Sequence, residues 1–181
     1  MLLSCISTSC PEVRENRHYL AIAAFYGIRC ARRSRVPLLA HIDEGLRILD
    51  AIGASLVAKE AFCLHPLLQD DDALQAALAA HGHFRACAPD PVVVLLAMEY
   101  RRVANAYLAH HCKGESDLIE LSPLADVNAM LIADKVQNRK DFDIHHLDSH
   151  ENAQVLDQYF KNWLHRLDVS AARYQALIGL L

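Results

Sequence analysis

Apolar side chains recur along this chain at three- and four-residue spacing almost throughout, and strand-like alternation bounded by turn signals is hard to find. Such a period gathers apolar residues onto one stripe of a helix, so it predicts an all-α fold of about six to seven helices. No stretch rich in Pro, Gly and Ser divides the 181 residues, so a single compact helical domain over 1–181 is expected. Apolar runs such as 91–98 are too short to cross a bilayer.

Local signals set the expected elements. The first helix covers about 12–32, with Leu20, Ala24 and Ile28 on one face. A second covers 41–52 and stops at Gly53, a residue suited to a left-handed C-terminal position. Ser55 caps a third over about 56–80, interrupted by Pro66, and 81–90 reads as a loop. Asp90-Pro91, a capping side chain followed by proline at the first helical position, opens a fourth reaching about 111. Ser122-Pro123 repeats that device for a fifth through about 140. Asp148 with Glu151 resembles a capping box for a sixth carrying Leu156, Tyr159, Phe160 and Trp163, and Ser170 caps a short terminal helix.

Composition narrows the partners. A formal charge of −4 gives no global basic field, so bulk attraction to nucleic acid or to an anionic membrane is not indicated. An anionic ligand needs a local basic cluster, and Arg32-Arg33-Ser34-Arg35 is one. The six cysteines, at 5, 10, 30, 63, 87 and 112, show no C-x-x-C spacing, which excludes a zinc knuckle or a dithiol redox motif and suits cytosolic thiols. Leu2-Leu3-Ser4-Cys5 superficially matches a lipoprotein cleavage site, but neither a cationic n-region nor an apolar h-region precedes it. A soluble cytoplasmic protein is therefore the expectation.

Three segments carry the candidate chemistry. Arg32-Arg33-Ser34-Arg35-Val36-Pro37-Leu38-Leu39-Ala40-His41 resembles the R-K-x-G-x-P-Y-x-x-H stretch of the HD-superfamily hydrolases of the RelA/SpoT group and their metazoan SpoT homologs. Leu64-His65-Pro66-Leu67-Leu68-Gln69-Asp70 is similar to that family's L-H-D-x-x-E-D, and Ile132-Ala133-Asp134-Lys135-Val136-Gln137-Asn138 to its L-A-D-[KR]-x-x-N. The likeness covers roughly 20–167 and keeps the segments in order, with Tyr159-Phe160-Lys161-Asn162-Trp163 echoing an aromatic core segment.

The resemblance implies a divalent metal, usually manganese, on His41, His65 and Asp134, with Arg32 and Arg33 on phosphate and Lys135 and Asn138 facing a nucleotide or alarmone. Two positions depart from it. Pro66 replaces the aspartate ligand, and within a continuous helix it also removes the N–H that would bond the Phe62 carbonyl, so a kink is expected there. Gln69 replaces the glutamate of the catalytic Glu-Asp pair, leaving Asp70, because an amide cannot act as a general base. Glu44, three residues after His41 and so on its helix face, is a candidate substitute ligand.

Other readings stay open at the level of sequence. His41 and His65 also fit ordinary buried histidines, and the arginine cluster fits a solvated helix end. Glu99, Arg102 and Asn105 share one face of the fourth helix, facing either a ligand or solvent. A metal-dependent nucleotide phosphohydrolase with altered activity, an inactive pseudoenzyme that binds a nucleotide or protein partner, and a helical interaction module all remain compatible with the residues.

Overall fold

The computed structural model describes residues 11–79 and 82–181, which leaves Cys5, Cys10, the Leu2–Cys5 start and His81 outside the description. The chain is all-helical, as the apolar period requires, and its sole extended contact among the described residues is an isolated bridge between Cys30 and Pro37. It contains more and shorter elements than six or seven: α1 Pro11–Arg14, α2 Arg17–Tyr26, α3 Leu38–Ala51, α4 Leu56–Leu68 and α5 Asp71–Leu78. There follow α6 His83–Cys87, α7 Pro91–Ala106, a 3-10 turn Ala109–His111, α8 Ala125–His145, α9 Ala153–Arg166 and α10 Ala171–Ile178.

The differences from the expected boundaries have local causes. The helix expected over 12–32 is broken because the Asn16 side chain accepts the His18 N–H, opening α2, and α2 ends where Gly27 takes a φ of 53°. The basic segment is thereby a loop, closed by Ala31 N–H to Val36 O at 2.8 Å and Leu38 N–H to Arg29 O at 2.9 Å. The next break comes at Asp70, whose Oδ1 accepts the Ala73 N–H at 2.6 Å to start α5, while α4 runs through Pro66 to Leu68. Residues 83–87, within the expected loop, form α6.

Asp90 makes no side-chain cap to α7 and instead meets Arg17 Nη2 at 3.3 Å. Ser122 does not cap α8: its Oγ accepts the Leu124 N–H and donates to Glu99, and the helix begins at Ala125 and extends to His145. Asn152, rather than Asp148, holds the N-cap position of α9. Ser170 does cap α10, accepting the Arg173 N–H at 3.2 Å.

α4 lies at the centre, packed against α2, α3, α7 and α8. Its sequence, Leu-Val-Ala-Lys-Glu-Ala-Phe-Cys-Leu-His-Pro-Leu-Leu, is apolar nearly all round, the pattern of a helix buried on every side. Phe62 is fully buried there, worth about 2–3 kcal/mol of burial on its own. Its ring lies over Gly45 of α3, where a Cβ would stand only 2.2 Å from Phe62 Cε1, so the close approach of α3 to α4 depends on a missing side chain. α8 is the opposite case: a polar helix that nonetheless buries Asp134, Lys135 and Gln137. Among the described residues no helix is long and apolar enough to cross a membrane.

Candidate metal centre

α3, α4 and α8 each deliver one side chain to a common point. His41, His65 and Asp134 offer ligand atoms that all lie within 4.8 Å of one another. His41 Nε2 is 3.3 Å from His65 Nε2 and 3.5 Å from an Asp134 oxygen, Oδ1. Bonds of about 2.1 Å to one cation give ligand–ligand edges of roughly 3.0 Å in octahedral and 3.4 Å in tetrahedral geometry, so these two edges suit a shared ion. Two imidazoles and a carboxylate are the donor types of a three-ligand metal site that leaves the other positions to water or substrate.

The ring nitrogens are oriented by partners behind them. His41 Nδ1 meets Gln137 Oε1 at 2.7 Å, and the Gln137 amide is itself fixed, because its Nε2 donates to Glu44 at 3.0 Å and to Asp141 at 2.9 Å. With the amide nitrogen committed to two carboxylates, the oxygen must face His41, and His41 must donate from Nδ1. His65 Nδ1 meets the Phe62 carbonyl at 2.6 Å and must likewise donate. The two Nε2 atoms therefore face each other, 3.3 Å apart, at the point where Asp134 also arrives.

Electrostatics agree with that picture. Burial, reinforced by the neighbouring His41, pushes the His65 imidazole down to about 3, so it is neutral at physiological pH and able to act as a ligand. Burial alone would raise the Asp134 carboxyl, but the adjacent Lys135 ammonium outweighs it and holds the group well below the usual carboxylate range. Burial would likewise lower the Lys135 ammonium, and the Asp134 carboxylate holds it above its ordinary value. Lys135 Nζ sits 2.7 Å from Asp134 Oδ2 and 5.1 Å from the Trp163 ring centre, while Oδ1 accepts from Asn138 Nδ2 at 2.8 Å and lies 3.5 Å from His41 Nε2.

The three ligand side chains, with Pro66, Gln69, Asp70, Lys135 and Asn138, line a cavity of about 550 Å³, walled also by Tyr26, Tyr100 and Tyr159. Asp70 thus reaches the cavity while also capping α5. Gln69 exchanges bonds with Asn105, its Nε2 donating to Asn105 Oδ1 at 3.2 Å and its backbone oxygen accepting from Asn105 Nδ2 at 2.9 Å. Lys135 and Asn138 line the cavity but also bond Asp134, the latter at 2.8 Å.

Glu44 lies outside the His41, His65 and Asp134 group. Its carboxylate accepts from Lys140 at 2.5 Å and from Gln137, so it acts through the amide that holds His41. Arg32 and Arg33 are absent from the cavity wall, and Arg33 lies 3.9 Å from Glu151 on the protein's outside. Glu99 and Arg102 form a two-pronged ion pair at 2.8 Å. Gln137 carries more of the site than its motif position suggested, and a signal existed: Asp134, Gln137, Asn138 and Asp141 repeat at helical spacing on α8.

No family model matches the chain, and no curated protein and no solved structure matches it either.

Proposed function

We propose that His41, His65 and Asp134 hold a divalent cation, manganese by the family resemblance, and that the centre hydrolyses a phosphoester or pyrophosphate bond of a nucleotide-like ligand. One observation carries the reading: two imidazoles whose Nδ1 atoms are committed elsewhere, and a carboxylate held ionised, turn ligand atoms toward a single point at the floor of a cavity. A cation bound there lowers the pKa of its water and polarises a phosphoryl oxygen. The chain's own contributions are orientation and proton transfer. Gln137 and the Phe62 carbonyl hold the two rings, Lys135 stabilises the Asp134 carboxylate, and Asp70 at the cavity wall is the retained carboxylate able to take a proton from water.

Phosphate chemistry rests on the resemblance of the three motifs rather than on the cavity, whose one lining lysine or arginine is Lys135, already paired with Asp134. A second reading, a pseudoenzyme that binds the same class of ligand without turnover, is favoured by the Gln69 amide tied to Asn105 and by Arg32 and Arg33 lying off the wall.

Incubation of the purified protein with Mn2+ and a panel of guanine and adenine polyphosphates separates the readings. Product release that disappears in His65→Ala supports the hydrolase. Tight ligand binding without product supports the pseudoenzyme, and failure to bind Mn2+ removes the hydrolase.

A further inference from the structure

Pro66 lies inside α4, four residues after Phe62, where the backbone N–H would take the Phe62 carbonyl in an unbroken helix. Proline has no such N–H, and Phe62 is fully buried, so its carbonyl needs another donor. The donor it meets is the imidazole three residues on, with His65 Nδ1 at 2.6 Å. An oxygen that close tolerates only a protonated nitrogen opposite it. The contact sets the ring in its Nδ1–H form and leaves the Nε2 lone pair aimed at the cavity floor, 3.3 Å from His41 Nε2. Free in water, neutral imidazole favours the opposite form, with its proton on Nε2, which would close that lone pair to a cation.

We infer that Pro66 is a positioning residue for His65: by withholding its own N–H it leaves the Phe62 carbonyl to the imidazole, and so presets Nε2 as a ligand before any metal arrives. At the level of sequence Pro66 reads as a lost ligand. The fold gives it a use, because a residue with an N–H at that position would compete for the one acceptor that orients the ring. The consequence for metal binding rests on the reading proposed above, whereas the ring orientation is a property of the metal-free chain. His41 supplies an internal reference, since Gln137 on α8 sets its form independently of α4.

The test compares wild-type protein with Pro66→Ala, which restores the N–H and replaces a poor helix former with the best one, so the melting temperature should hold or rise. Nitrogen-15 spectra of the metal-free imidazoles at mildly alkaline pH should report Nδ1–H for His65 in the wild type and a shift toward Nε2–H in the variant, with His41 unchanged in both. Calorimetric titration with Mn2+ should show binding about tenfold weaker in the variant. Greater stability joined to weaker metal binding is a combination that a merely structural role for proline does not produce. An Nδ1–H ring at His65 in the alanine variant, or undiminished Mn2+ affinity, overturns the inference. Should the wild type bind no Mn2+, the metal-centre reading falls, and the ring spectra alone uphold or overturn the positioning role.

Discussion

The floor and the rim of the cavity are built by opposite means. The floor residues sit on the long helices α3, α4 and α8; His65 and Asp134 are each only 4% exposed, and both imidazole Nδ1 atoms and the Asp134 carboxylate have a named partner behind them. The rim comes from the loop after α2 and the junction of α4 with α5, where the Arg33 side chain is 57% exposed and Asp70 is occupied in starting a helix. Helices that are buried on several faces can hold two ring nitrogens 3.3 Å apart, because the packing that orients them is shared with the core. A loop closed by two backbone hydrogen bonds has no comparable constraint on its side chains. The floor is thus specified by the fold itself, and the rim is where a ligand would have to do the ordering.

The largest expected effect tests the floor directly. Asp134→Ala leaves the buried Lys135 ammonium without its carboxylate, and breaking such a pair from one side costs about 3–5 kcal/mol. Chemical denaturation should show that loss, and adding Lys135→Met should recover most of it, because the unpaired charge rather than the missing contact dominates. A single variant as stable as wild type would mean that the floor is no more constrained than the rim.

Gly45→Ala comes next. The new Cβ would press on the Phe62 ring, which packs tilted against both histidines with centroids 5.6 Å from His41 and 4.7 Å from His65. Overpacking of this kind costs about 1–3 kcal/mol, so thermal unfolding should move down and Mn2+ affinity should fall with it. Unchanged affinity in a destabilised variant would uncouple the centre from the packing beneath it. Gln137→Leu should be milder for the fold yet specific for the site: His41 loses the acceptor that fixes its ring, and Mn2+ binding measured by calorimetry should weaken about tenfold.

The same contrast explains what could be read from residues alone. The all-α fold follows from the apolar period, and His41, His65 and Asp134 were legible because each sits in a motif of fixed spacing on one helix. What stayed hidden depends on which partner an atom finds after folding. Asn16 and Asp70 read as mid-helix and catalytic residues, yet each caps a helix and so splits an element that periodicity had joined. Glu44 shares the helix face of His41, which made it a plausible ligand; only the approach of α8 shows its carboxylate engaged by Lys140 and Gln137. Pro66 read as damage because its effect lies in the orientation of the side chain before it, which no local pattern encodes.

The smallest expected effect lies at the rim. Arg32 and Arg33 are outside the cavity wall, and Arg33 has one solvent-exposed neighbour, Glu151, at 3.9 Å, the kind of pair whose worth in water is at most about 1 kcal/mol. Arg32→Ala and Arg33→Ala should therefore leave unfolding within about 0.5 kcal/mol of wild type and leave Mn2+ affinity unchanged. Ligand binding is where the comparison becomes informative, because a cavity whose nearest lysine or arginine is already paired must recruit charge from outside to hold a polyphosphate. If calorimetry with a guanine polyphosphate shows the double arginine variant binding as the wild type does, the cation on the floor suffices and the loop is a bystander. A loss of tenfold or more, with stability and metal affinity intact, would instead make the loop a phosphate clasp that closes only when its ligand is present, since Arg32 and Arg33 are not among the described residues that line the cavity.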